Sequence, residues 1–353
     1  MTYPKLTIDL KKIEENTREM VRRCRARGIA VAGVTKMVCG NEIIADALVD
    51  AGVEVLADAR IENLKKISDL KVPKMLIRIP MASQAEKIVK YSDISLVSEV
   101  STIKALGNQA VIQEKVYNIV LMVDLGDLRE GIFYMDEIFD AVEKIKEIAG
   151  IRLLGIGSNL TCYGGILPTE ENLRRLIEIR STLEDKFALT LEIISGGNSG
   201  ALSLFEDDSL PEEVNQLRLG ASLLLGIGLD DKPVKGLNVD TFRLEAEIVE
   251  IKLKPSVPIG EVGLDAFGKV PVFIDRGIRR RAICALGKQD ILPDYLTPID
   301  EDIIVLGASS DHLILDITDS SKEYCVNGRV EFNLSYGGCL SAMASGYINK
   351  VFI

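Results

Sequence analysis

A TIM (β/α)8 barrel carrying a C-terminal all-β domain is the fold this sequence predicts, on three observations. Short apolar runs alternate with amphipathic stretches about eight times between residues 29 and 219. Polar residues, namely Lys36, Asp124, Asn159, Ser195 and Arg218, recur at or just beyond the C-terminal ends of those runs, where a barrel keeps its chemistry. After Pro233 the alternation stops, and β-branched runs separated by Gly-, Pro- and Asp-rich turns replace it.

Residues 5–10 alternate as a strand, and residues 11–27 form an amphipathic helix closed by Gly28. Strands are then expected at 29–36, 54–57, 74–79, 94–97, 116–124, 152–159, 191–195 and 216–219. Helices fall between them at 42–51, 61–70, 83–91, 101–113, 136–148, 170–187 and 199–205. Beyond them, strands are expected at 242–252, 270–275, 281–286, 303–306, 312–317 and 329–336, with one helix at 340–348. The domain division is residues 10–232 for the barrel and 233–353 for the β domain, the N-terminal strand within residues 1–9 pairing with the latter.

The chain has 353 residues, of which 47% are hydrophobic and 27% charged, as in an ordinary globular enzyme. A net charge of −11 argues against nucleic acid or an anionic membrane as partner and is compatible with a cationic substrate. The N-terminus shows no secretory apolar region, and no run is long enough to span a bilayer. Six scattered cysteines without a CxxC read as reduced thiols, so a cytoplasmic protein is expected. With His312 as the only histidine, a Ser-His triad or a multi-His metal site is nearly excluded.

Lys36 ends the run Ala30-Val31-Ala32-Gly33-Val34-Thr35-Lys36-Met37-Val38. An amine in such surroundings either snorkels to water or is held as a nucleophile able to form a Schiff base with an aldehyde. Ser195-Gly196-Gly197-Asn198-Ser199 follows a strand and opens a helix, so its N–H groups either cradle an anion or only make a turn. Leu217-Arg218-Leu219-Gly220-Ala221-Ser222 supplies a second such loop, and the loops after strands seven and eight of a barrel commonly hold a phosphate together. Arg218 lies near that phosphate's ring or in an ordinary salt bridge. Arg129, in Asp124-Leu125-Gly126-Asp127-Leu128-Arg129-Glu130-Gly131, is either a clamp for a carboxylate or a solvated loop charge. Together these features suit pyridoxal 5′-phosphate: an aldehyde for the lysine, a phosphate for the loops and a ring nitrogen for an arginine.

Along essentially its whole length the chain resembles the alanine racemase-like, fold-type III pyridoxal phosphate enzymes, and among them the ornithine racemase branch. The segments that carry the resemblance are Val34-Thr35-Lys36, Val123 to Gly131, Asn159-Leu160-Thr161-Cys162-Tyr163-Gly164, Ser195 to Ser199, and Leu306-Gly307-Ala308-Ser309-Ser310-Asp311-His312. The resemblance implies that Lys36 binds the cofactor and serves as one base, and that Asn198, Ser199, Gly220 and Ala221 hold its phosphate. It also implies that Arg218 meets the pyridine nitrogen and that Arg129 lies beside the phenolic oxygen and the substrate carboxylate. Tyr336 matches a tyrosine that bonds the phosphate, and Asp311 an aspartate that reaches the substrate from a partner subunit.

Three positions depart from the family pattern. Gly40 stands where a tyrosine is common, Asn159 replaces the histidine that stacks on the ring, and Lys288 of Gly287-Lys288-Gln289-Asp290 aligns with the tyrosine base. Lys288, Asp290 and His312 are therefore the candidates for the second proton carrier. Asp311, Asp290 and Asp265 are candidates for holding a distal ammonium. The implied activity is racemisation of a small basic amino acid, ornithine and then lysine, in a homodimer whose partner β domain completes the site. The alternatives are a D-amino-acid aldolase or dehydratase, a basic amino-acid decarboxylase, a non-catalytic cofactor carrier, and a cofactor-free Schiff-base aldolase.

Overall fold

The computed structural model describes residues 2–353. They divide into two compact units: residues 11–239, and residues 240–353 together with the N-terminal segment through Leu10.

The first unit is a closed barrel of eight parallel strands. In order they are β2 (Ala30–Val34), β3 (Val55–Asp58), β4 (Lys74–Leu76), β5 (Ile94–Val97), β6 (Tyr117–Met122), β7 (Ile151–Gly157), β8 (Ile193–Ser195) and β9 (Gln216–Leu219), β1 (Lys5–Ile8) preceding them in the other unit. These strands are short and apolar on both sides, as burial of both faces of a parallel sheet requires. Ala32, Val34, Ala57, Met75, Leu96, Val120 and Met122 fill the interior of the barrel. Closure comes from β9 against β2, with Ala32 opposite Arg218.

Helices α1 (Leu10–Arg25), α2 (Glu42–Asp50), α3 (Ile61–Lys66), α4 (Ala85–Tyr91), α5 (Val100–Ile112), α6 (Met135–Lys146), α7 (Glu170–Phe187), α8 (Leu202–Glu206) and α9 (Ala221–Leu225) follow the strands in turn. Helix α7 starts at residue 170 because Thr169 and Asn172 exchange side-chain-to-backbone bonds, satisfying two N–H groups the helix cannot. Strand β2 stops two residues before Lys36, and Lys36–Val38 is instead a single 3-10 turn. The expected strand through residue 36 is therefore corrected: the chain turns at Thr35.

The second unit is an antiparallel sheet in the order β12 (Leu296–Pro298), β15 (Arg329–Leu334), β10 (Phe242–Pro255), β11 (Ile278–Cys284), β14 (Leu313–Asp316) and β13 (Ile304–Ala308). Strand β1 pairs antiparallel with β10 and parallel with β16 (Asn349–Phe352), as the expected strand before the barrel rhythm requires. The expected strand at 270–275 does not form. Residues 256–277 run as an irregular arm between β10 and β11. Their apolar side chains have no sheet to pair with, and Val272 is 91% exposed. The last helix, α10 (Tyr336–Ala344), begins earlier than expected because Ser335 caps it, accepting the Gly338 N–H. No helix among the described residues is long and apolar enough to cross a membrane.

Candidate active site

Lys36 opens the 3-10 turn at the C-terminal end of β2, and a chain of side chains brackets that turn at both ends. Before it, the Thr35 hydroxyl donates to Asp58 Oδ2 at 2.8 Å. Asp58 Oδ1 accepts from the Arg60 N–H at 2.9 Å and from Asn63 Nδ2 at 3.0 Å. After the turn, Lys66 Nζ donates to the Cys39 carbonyl at 2.9 Å and to Asn63 Oδ1 at 3.4 Å. Burial pushes the Asp58 carboxyl up, against the pull of its hydrogen-bond donors. Gly40 closes the arrangement. Its φ is +60°, and a Cβ there would lie 2.7 Å from that of Asn63, so the tyrosine common at this position has no room.

Asp58→Ala removes the acceptor of the Arg60 N–H and the Asn63 amide and leaves the Thr35 hydroxyl only the Ala57 carbonyl at 3.3 Å. It should cost about 2–4 kcal/mol of stability in urea denaturation. Asp58→Asn keeps two heteroatoms in place and should cost roughly half as much. Equal losses in the two variants would contradict the hydrogen-bonding account.

Arg218, on β9, is buried. Its Nη1 donates to Ser195 Oγ at 2.5 Å, and its Nη2 to the Ser158 carbonyl at 2.7 Å and Asn159 Oδ1 at 3.4 Å. Every one of these acceptors is neutral, so the expected alternative of a direct carboxylate bond is not what the structure shows. Burial pushes the guanidinium down to about 10, which leaves it charged at neutral pH.

The Gly220 and Ser222 N–H groups converge on Ser199 Oγ, at 3.4 and 3.2 Å, where Ala221 opens α9. Asn198 Oδ1 accepts the Gly200 N–H at 2.7 Å, and its Nδ2 donates to the Leu160 carbonyl at 3.0 Å and to Asn159 Oδ1 at 3.3 Å. Strand pairing places Lys36 and Gly220 on neighbouring strand ends, and a Cβ on Gly220 would lie 3.1 Å from that of Val34. Two buried atoms beyond the end of β7, Ser158 Oγ and Asn159 Nδ2, have no hydrogen-bond partner. A buried polar atom left unmatched costs about 1–3 kcal/mol, so these two fit a site built to receive a polar ligand.

The loop from Asp124 to Gly131 leaves β6 and returns to it. Asp124 Oδ1 accepts the N–H groups of Gly126 and Leu128 at 2.8 and 3.2 Å. Asp127 accepts those of Tyr163 and Ile166 at 3.1 and 3.3 Å, tying this loop to the one after β7. Arg129 does not stand open as a clamp. Its Nη2 donates to Glu130 Oε1 at 2.5 Å and its Nε pairs with Glu130 Oε2.

The other candidates lie in the β unit. Backbone bonds from Lys288 to Ser309 and from Gln289 to Ser310, both donated by the N–H, set Gly287–Asp290 beside Ser309–Asp311. Lys288 Nζ sits 3.9 Å over the Phe267 ring and 3.8 Å from Asp265. Asp290 accepts the Ser345 hydroxyl at 2.8 Å, and Asp311 that of Ser310 at 2.7 Å. The His312 N–H donates to Ser309 Oγ. Tyr336 is the first residue of α10. The structure thus forms two groups: Lys36, Asn159, Asn198, Ser199, Arg218, Gly220 and Ala221 at the barrel's strand ends with Arg129 in its loop, and Lys288, Asp311 and His312 on adjoining β-unit segments.

Residues 8–227 match the family model described as the alanine racemase N-terminal domain. The chain belongs to the alanine racemase family. It is 46% identical over 352 residues to an ornithine racemase of Acetoanaerobium sticklandii, covering 99% of each chain. It is 42% identical to a lysine racemase of Thermotoga maritima, covering 100% of this chain and 99% of the relative. Among solved structures, an alanine racemase from Bartonella henselae with covalently bound pyridoxal phosphate superposes with a TM-score of 0.75 at 19% identity, covering 99% of both chains. A D-threonine aldolase from Filomicrobium marinum gives 0.73 at 14% identity, covering 97% and 90% of the two chains. At these identities the likeness is one of fold.

The alanine racemase match takes in all the barrel candidates and stops before Lys288, Asp311, His312 and Tyr336. Sequence reasoning missed Asp58, Ser158 and the role of Glu130. Asp58 carried a signal, as an acid in a buried run at a strand's C-terminal end. Glu130 stood inside the quoted motif, but nothing in a sequence says which charges in a loop pair with each other.

Proposed function

We propose that this protein interconverts the L and D forms of a basic amino acid, ornithine first and lysine second, with pyridoxal 5′-phosphate as cofactor. The observation that carries the reading is the 46% identity to an ornithine racemase across 99% of both chains. The 42% identity to a lysine racemase keeps lysine as the second substrate.

The barrel residues fit the cofactor. Ser199 with the N–H groups of Gly220, Ala221 and Ser222, supported by Asn198, suits a phosphate, and Tyr336 is the candidate donor from the β unit. Asn159 Nδ2 and Ser158 Oγ are the buried atoms that a ring substituent would satisfy. Lys36 is the amine for a covalent link to the aldehyde. When bound, the cofactor draws electron density from the substrate Cα and so acidifies its proton.

This chain's residues do the rest. Lys36 moves a proton on one face of Cα, and Lys288 from the partner subunit's β unit moves it on the other, Asp311 and His312 lying on the adjoining segment. A guanidinium donates and does not accept, so Arg218 would keep a ring nitrogen placed against it unprotonated, which would favour return of the proton to Cα. Arg129, held by Glu130 through Nη2 and Nε, takes the substrate carboxylate with its remaining Nη1. Selection for a basic side chain needs a carboxylate opposite the distal ammonium, and Asp311 is the exposed acid of the β-unit group.

Assembly as a homodimer is part of the same proposal. The arm at 256–277 supports it, because Ile259, at 92% exposed, and Val272 stand in solvent on a single subunit. Chiral chromatography of L-ornithine, L-lysine, L-arginine, L-alanine and L-serine incubated with the purified protein tests the function. Ornithine should racemise fastest, and faster turnover of alanine than of both ornithine and lysine would overturn the assignment.

A further inference from the structure

In the loop after β6 one carboxylate answers one guanidinium. In the loop from Asp124 to Gly131, Asp124 and Asp127 spend their oxygens on backbone N–H groups. Glu130 alone takes a charged partner, gripping Arg129 by two parallel bonds through Nε and Nη2 and leaving Nη1 for a further acceptor. The pair is not an ordinary surface contact, since the Glu130 side chain is only 16% exposed against 37% for Arg129. Its backbone is pinned as well. Next to it, Gly131 has a φ of +121°, and a Cβ there would come 2.6 Å from the Asp124 nitrogen. The chain then rejoins β6 by bonds from the Ile132 N–H to the Met122 carbonyl and from the Asp124 N–H to the Ile132 carbonyl.

We propose that Glu130 is a positioning residue for the reaction: it holds the Arg129 fork by Nε and Nη2, so that Nη1 is aimed at the carboxylate of an amino-acid substrate. This inference rests on the racemase reading given above. Neutralising a mostly buried partner leaves uncompensated charge behind, so the effect should exceed that of an exposed pair.

The test uses the holoenzyme with Glu130→Ala and Glu130→Gln. The alanine variant empties a space the size of a small carboxylate beside the fork. Formate should bind there saturably in calorimetry, and it should not bind to the parent protein. Turnover of the alanine variant, as kcat/KM for ornithine, should fall on the order of 10- to 100-fold and recover several-fold with formate. The glutamine variant keeps one acceptor for the fork but not the charge. The extra positive charge tightens the hold on the substrate carboxylate, so KM and kcat should fall together. Parent-like kinetics in the alanine variant, or a loss with neither formate binding nor recovery, would overturn the proposal. Failure of the parent protein to racemise any amino acid would strike the racemase reading instead, while formate uptake by the alanine variant still judges the pairing of the fork.

Discussion

Lys36→Ala should remove the visible absorption of a lysine-linked pyridoxal group and lower turnover by at least about three decades, because in the proposed reaction one residue supplies both the link and a base. The fold should survive the change. Lys36 is half-buried at the start of a single turn, which Thr35, Asp58, Asn63 and Lys66 bracket with side-chain bonds, and its own carbonyl, which accepts the Cys39 N–H at 3.2 Å, is kept in the variant. Far-ultraviolet circular dichroism should therefore match that of the parent protein. An absorption band unchanged in position and intensity would remove Lys36 from its role, and every assignment on the barrel side would need a different amine.

Lys288→Gln should lower racemisation by about two to four decades while leaving one half-reaction intact. In deuterated water, the enantiomer whose α-proton faces Lys36 should still exchange that proton, and its mirror image should not. In the proposed role, Lys288 is held by a ring and an acid: Phe267 lies under its ammonium at 3.9 Å and Asp265 at 3.8 Å. Two backbone N–H groups, from Lys269 and Phe267, hold the Asp265 carboxyl below the usual range, so it remains a fixed negative neighbour.

Mixing this variant with Lys36→Ala tests the dimer at the same time. In a hybrid, the barrel of one chain keeps Lys36 and the β unit of the other keeps Lys288, so one of the two sites is whole. Random exchange between two-fold dimers should restore about a quarter of the parent activity from two inactive preparations. A mixture that remains inactive after proven subunit exchange would refute a site shared between subunits.

Much of the barrel was legible in the sequence because a parallel sheet covered on both faces needs short runs that are apolar throughout. Residues 94–97 and 216–219 needed no correction for that reason. Strand ends were harder. The apolar run containing Lys36 continues through Met37 and Val38, and both are buried, but in a 3-10 turn rather than in the strand. Hydrophobicity reports burial and says nothing of where the backbone bends. The arm at 270–275 failed for the opposite reason. It has the composition of a strand, yet no partner strand takes up its hydrogen bonds within the β unit.

Among the site residues, Ser199 and Arg218 were findable because strand-end position and Gly-rich loops are properties of sequence. The grip of Glu130 on Arg129 depends on how a loop closes. Gly131 marked that closure without showing what it brought together.

Strand β1 has consequences for how the chain is made. Lys5–Ile8 bonds on one side to β10 and on the other to β16, so both of its edges are answered by segments that follow the whole barrel. During synthesis the barrel has all eight of its strands once Leu219 has emerged, with β1 still bare ahead of it. A ribosome that stalls before residue 349 leaves an exposed ribbon edge at the front of the polypeptide, open to any other extended segment nearby.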